Sequence, residues 1–122
     1  MKLWVDDVRC PPVREPDWIW AVSVNDAKIA IRAYENGYQN DAIIIDLDHD
    51  AGDFADQGGD YIKLLDWLEV MDYVDATYSF HLHTMNPVGR DNMRAIIQKN
   101  DYETVPFMLR NRALCTGLPD LP

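Results

Sequence analysis

Apolar and polar residues along the chain fall into short blocks, and the period within each block predicts its structure. Residues 2–6 form an apolar run that stops on the pair Asp6-Asp7, which reads as a short strand. Arg9-Cys10-Pro11-Pro12 breaks regular structure, and residues 18–22 (WIWAV) read as a second strand rich in aromatic and aliphatic side chains. Ser23 with Asp26 three residues on resembles a capping box, and Ala27, Ala30, Ile31 and Tyr34 then recur at helical spacing as far as Asn36, where Gly37 supplies a stop. Residues 42–47 (AIIIDL) are almost continuously apolar, as in a strand covered on both faces. Beyond a polar loop that runs through Gly52 to Gly59, Tyr61, Leu64, Leu65 and Leu68 mark a second helix. Residues 78–84 (YSFHLHT) read as a fourth strand. Asn86-Pro87 opens a third helix that runs to about residue 100, with Asn as its cap and Pro at its first position. The tail from residue 101 has three prolines and one weak strand candidate at 105–109.

Strands alternating with helices imply βαβ units with right-handed crossovers. The expected fold is therefore α/β: one three-layer domain over 1–122, with a short, mostly parallel sheet, helices on both faces and an irregular tail at 101–122. Trp4, Trp18 and Trp20 are most simply core or sheet-covering residues. The hydrophobic share of 48% is ample for a core, and no apolar run approaches the roughly 18 residues that would span a membrane. The N-terminus meets acidic residues too early for a secretory signal. Cys10 and Cys115 match no metal or redox spacing, so two ordinary thiols and a cytoplasmic location are the default expectation. A net charge of −10 opposes bulk nucleic-acid binding and anionic membranes at long range, although a few arginines or a bound divalent cation can reverse the field inside one pocket.

In open α/β sheets ligands bind beyond the carboxyl ends of the strands. Three strands here end in polar clusters: Asp6-Asp7, Asp48-His49-Asp50, and His81-Leu82-His83-Thr84. Strand alternation puts Asp46 with Asp48 on one face, and His81 with His83. If the first, third and fourth strands are neighbours, these carboxylates and a histidine share one rim. Packed carboxylates repel one another and either take up protons or recruit a cation, and oxygen donors suit Mg²⁺ or Mn²⁺. The candidate metal ligands are Asp6, Asp7, Asp48 and Asp50. The third helix offers its first amides, with Gly89 and Arg90, as a phosphate site, and Arg9 offers a second anion clamp. Asp-Asp after a strand is more often a turn signal when taken alone, and a strand histidine is more often a hydrogen-bonded core residue. Of the two histidines His81 lies deeper, which leaves His83 as the catalytic candidate. Three clusters on three strand ends, beside a helix start, point to phosphate-ester chemistry.

The ordered set Trp4-Val5-Asp6-Asp7-Val8-Arg9 with Pro12, Leu47-Asp48-His49-Asp50, His81-Leu82-His83, and Asn86-Pro87-Val88-Gly89 with Met93 resembles the cyclic-phosphate-processing receiver-like domains, a variant of the flavodoxin-like response-regulator receiver fold. The resemblance implies hydrolysis of cyclic phosphate ends, such as 2′,3′-cyclic phosphates met in RNA processing and repair. It places Asp6, Asp7, Asp48, Asp50, His83 and Asn86 in the site. Thr84 stands where receivers carry Ser or Thr, and so joins the phosphate-binding candidates. Ala51-Gly52 replaces the family's usual Leu-Gly, a mild departure. No lysine follows Lys99, whereas phospho-accepting receivers end their last strand in one.

The expected function is a metal-dependent phosphoesterase. Its catalytic residues would be His83, Asp48 and Asn86, its cofactor Mg²⁺ or Mn²⁺, and its partner a small phosphorylated substrate or an RNA terminus. The alternative is a phospho-accepting or cation-binding signalling module without turnover. A bare edge strand would make a homodimer unsurprising.

Overall fold

A computed structural model describes residues 1–12, 14, 17–37, 42–100 and 103–104. Its elements are β1 (Lys2–Val5), β2 (Trp18–Ala21), α1 (Val24–Asn36), β3 (Ile43–Leu47), one 3₁₀ turn (Gly52–Phe54), α2 (Ile62–Met71), β4 (Tyr78–Leu82), α3 (Pro87–Lys99) and the two-residue β5 (Glu103–Thr104). The strands form one parallel sheet in the order β2-β1-β3-β4-β5. The first, third and fourth strands are thus neighbours, the condition on which a shared rim depends. Among the described residues no helix is long and apolar enough to cross a membrane.

The helix ends follow their local chemistry. Ser23 is extended and its Oγ accepts the Asp26 N–H at 3.0 Å, which starts α1. The N–H of Gly37 closes the other end on the Tyr34 carbonyl at 3.2 Å, from ordinary extended backbone rather than the left-handed cap a glycine permits. For α2 there is no side-chain cap, and Asp72 ends it in the left-handed conformation. Asn86 caps α3 with Pro87 in its first turn.

The steps β2→β3, β3→β4 and β4→β5 run the same way across the sheet, so right-handed crossovers put α1, α2 and α3 on one face. Packing agrees. Leu3, Val5, Ile43, Ile45, Leu47, Tyr78 and Phe80 of the strands form one apolar core with Val24, Ala27 and Ile31 of α1, Leu64, Leu65 and Leu68 of α2, and Met93 and Ile97 of α3. The alternate residues Trp4, Asp46 and His81 are also buried, but on the opposite face and outside that core. The step β1→β2 runs the other way. Its connection is interrupted by Pro11-Pro12 and has no helix among its described residues. Helices were expected on both faces; the described ones lie on one, because this first connection is too short and proline-broken to supply another. Cys115, the strand candidate at 105–109 and all of the expected 101–122 tail but β5 lie outside the described residues.

Candidate active site

Register explains how distant carboxylates meet. Trp4 of β1 pairs with Trp20 of β2 and with Asp46 of β3, and Asp46 pairs with His81 of β4. One residue pair beyond the strand ends, with the same facing, stand Asp6, Asp48 and His83. The sheet face opposite the described helices therefore carries an ionic cluster.

His83 is its hub. Its Nδ1–H donates to Asp46 Oδ1 at 2.7 Å and its Nε2–H to Asp6 Oδ2 at 2.8 Å, while the Trp4 indole lies flat against the imidazole at 4.0 Å. Burial opposes the charged ring, but its hydrogen bonds to the Asp46 and Asp6 carboxylates outweigh that and raise its pKa above the ordinary 6.5. Both ring nitrogens face a carboxylate oxygen, an arrangement that favours the protonated ring. Asp46 is fully buried and also accepts from His81 Nδ1 at 2.8 Å. Burial pushes the Asp46 carboxyl up, and the two histidines pull it below its ordinary value.

Asp6 is the most heavily bonded carboxylate. Its Oδ1 accepts the N–H groups of Val8 and Arg9, each at 2.9 Å, its Oδ2 accepts from His83, and Arg9 Nε forms an ion pair with Oδ2 at 3.2 Å. Burial again raises its pKa, and these donors, His83 first, more than reverse that. Arg9 reaches on to Asp48 Oδ2 with Nη2 at 3.4 Å, bridging the first and third strands. The Arg9 carbonyl accepts the Trp4 indole N–H at 2.7 Å, which fixes the turn that brings the guanidinium back.

Asp7 has the opposite character. Burial raises its carboxyl pKa, and the neighbouring charges of Asp6 and Asp48 raise it further. One oxygen from each of Asp6, Asp7 and Asp48 lies within 4.8 Å of the others, so the three could hold a metal ion. The local charge fits a divalent cation. Three carboxylates converge there, and the Arg9 guanidinium pairs with two of them, Asp6 and Asp48. The donor set fits as well: with both His83 nitrogens engaged, the cluster offers oxygens, which suit Mg²⁺ or Mn²⁺ better than Zn²⁺. Gly52 packs against the Asp7 carboxylate. It sits at φ +55°, and a Cβ there would run into Asp7 Oδ2.

The remaining candidates are placed differently. Asn86 Oδ1 accepts the Gly89 N–H at 3.0 Å, so that amide is engaged in the cap rather than facing a ligand. Thr84 is buried, and its Oγ accepts the Asn86 N–H at 3.0 Å, leaving its own hydroxyl proton to donate. The Arg90 N–H continues the helix by donating to the Asn86 carbonyl, and its side chain is half-buried. Asp50 is exposed and accepts from His49 Nδ1 at 2.7 Å, outside the three-carboxylate group. The His49 ring in turn packs on α3, where any Cβ at Gly89 would strike it.

The family model for the cyclic-phosphate processing receiver domain matches residues 1–99. The chain belongs to that family. No curated protein and no solved structure gives a significant match. In this receiver domain the acidic rim lies where the sheet topology leads one to look. The parts that pattern reading passed over are Asp46 as the seat of both histidines, Trp4 as the wall behind His83, and Gly52 as the space for Asp7. Asp46 left one signal, a lone charge inside an otherwise apolar strand.

Proposed function

We propose that this domain is a metal-dependent phosphoesterase that opens cyclic phosphate ends, such as 2′,3′-cyclic phosphates of RNA or nucleotides. The observation that carries this is the Asp6-Asp7-Asp48 group, whose oxygens lie within 4.8 Å of one another, flanked by the Arg9 guanidinium. Asp7 and Asp48, with Asp6, would hold the cation. Mg²⁺ or Mn²⁺ bound there supplies Lewis acidity toward a phosphoryl oxygen and toward water. Hydrolysis adds water across one ring P–O bond: the water oxygen joins phosphorus and the ester oxygen leaves with a proton. The water's proton ends on the departing ester oxygen, so the step balances with Asp7 kept as a carboxylate that would hold the cation. Arg9, a third exposed, would meet the phosphoryl oxygens. His83 serves as a fixed cation that orients Asp6 and Asp46, in place of the general base its position first suggests.

Asp48 at the end of β3, beside Asp6 and Asp7, would also suit a phospho-accepting receiver, a reading weakened by the lack of any lysine after Lys99. The deciding assay is release of the monophosphate from a 2′,3′-cyclic nucleotide with Mg²⁺, with Mn²⁺ and with chelator, for the wild type and Asp48→Asn. Metal-dependent turnover that Asp48→Asn abolishes supports the phosphoesterase. Absence of turnover under both metals, with acetyl phosphate adding one phosphoryl group at Asp48, would replace it by the signalling module.

A further inference from the structure

Among the described residues, three of the four tryptophans have their rings engaged. Trp4 stacks on His83 and meets the edge of Trp18 at 5.7 Å. Trp18 also lies under the Lys2 ammonium, and Trp67 packs on Tyr73 with Lys28 and Arg32 over its ring. Trp20 differs. It is 43% exposed and its ring makes no aromatic or cation contact among the described residues. Yet it is held in place, because its indole N–H donates to the backbone carbonyl of Asp6 at 2.8 Å. It stands on the outer strand β2, in register with Trp4, and so on the same sheet face as the ionic cluster. The peptide that anchors it belongs to a residue of the carboxylate group itself.

From this we infer that Trp20 is a specificity residue: a stacking platform for the nucleobase of a substrate whose cyclic phosphate lies at the Asp6-Asp7-Asp48 group. The inference rests on the phosphoesterase reading and narrows its substrate class to nucleosides with a cyclic phosphate. A fixed, open indole face costs little entropy on binding and accepts any base. The charge balance points the same way. At a net charge of −10 the chain gains nothing from long-range attraction to a polyanion, so affinity for a nucleotide end must come from uncharged contact close to the phosphate. Stacking supplies such contact. It also favours a mononucleotide or a single-stranded end, since a base within a duplex presents no free face.

The test compares two ligands on the full chain with Mg²⁺: 2′,3′-cyclic AMP and glycerol 1,2-cyclic phosphate, which has the ring phosphate without a base. Calorimetry gives the affinities, and phosphomonoester release gives turnover. Trp20→Ala removes the face, while Trp20→Phe keeps a face but lacks the N–H to Asp6. The wild type should bind the nucleotide on the order of tenfold tighter than the glycerol ester. Trp20→Ala should erase that preference with the glycerol ester's affinity unchanged, and Trp20→Phe should keep most of it. The loss should appear in KM rather than kcat. Equal affinity of the wild type for both ligands, or equal weakening of both by Trp20→Ala, would overturn the inference. Turnover of both ligands without base preference would leave the phosphoesterase standing and remove the platform. Base-dependent binding without turnover would do the reverse.

Discussion

His83 lies against two buried carboxylates, and at the residue scale this makes it a structural charge as much as a functional one. Removing one member of a buried pair leaves the other uncompensated, so His83→Ala should lose about 3–5 kcal/mol in denaturant unfolding. The pH dependence has two limbs. His83 has a raised pKa in the folded state, so its contribution is full below the unfolded value near 6.5 and is lost as pH climbs through the raised one. Asp6 and Asp46 have lowered values, so theirs is present above the ordinary 3.8 and disappears as pH falls through the lowered ones. Stability should hold across the interval between and fall at both ends, and the His83 ring protons should titrate above 6.5 by NMR. Gly52→Ala faces both a positive φ and the Asp7 oxygen, and should cost about 1–3 kcal/mol while also weakening metal binding. Titration calorimetry with Mn²⁺ reads the second effect. Which residues carry charge was legible in the sequence, because Asp6, Asp7, Asp48 and His83 end strands. Their hydrogen bonds were not, since the donor facing each oxygen is set by register between strands far apart in the chain. That is why the sequence shows His83 as a candidate base, while the fold bonds both of its ring nitrogens to carboxylates.

Elements position these residues, and α3 shows how a cap and a site compete for the same atoms. Asn86 holds the Gly89 N–H and the Thr84 hydroxyl holds the Asn86 N–H, so the turn is bonded mainly to itself. Asn86→Ala should therefore cost about 1 kcal/mol of stability, and Asn86→Asp or Asn86→Ser should recover most of it in thermal unfolding. A loss of turnover in Asn86→Ala that Asn86→Ser does not restore would show that Asn86 touches the substrate. Gly89→Ala inverts the usual helix preference. Alanine is the better helix former by about 1 kcal/mol, but here its Cβ would strike the His49 ring, so the variant should be less stable than wild type. The helices were legible because 3.6-residue periodicity and their capping residues agree, as at Ser23 and Asn86. α2 has no side-chain cap, and only its leucine stripe betrays it. That the described helices share one face follows from strand order, which no local pattern carries.

At the scale of the whole molecule, one sheet face builds the core and the other carries an ionic layer that includes the carboxylate group able to hold a cation. A ligand that binds only the folded state stabilises it by RT ln(1 + [L]/Kd), about 2.7 kcal/mol at a hundredfold excess over Kd. Mg²⁺ or Mn²⁺ should raise the unfolding midpoint, chelator should reverse the gain, and Asp48→Asn should abolish it. The most direct measurement is calorimetric titration of Mg²⁺ or Mn²⁺ into the wild type, Asp7→Asn, Asp48→Asn and Asp50→Asn. The three-carboxylate account predicts one equivalent bound by the wild type and by Asp50→Asn, with binding lost in Asp7→Asn and Asp48→Asn. A wild type that binds neither metal, or a site lost in Asp50→Asn and kept in Asp7→Asn, would contradict it.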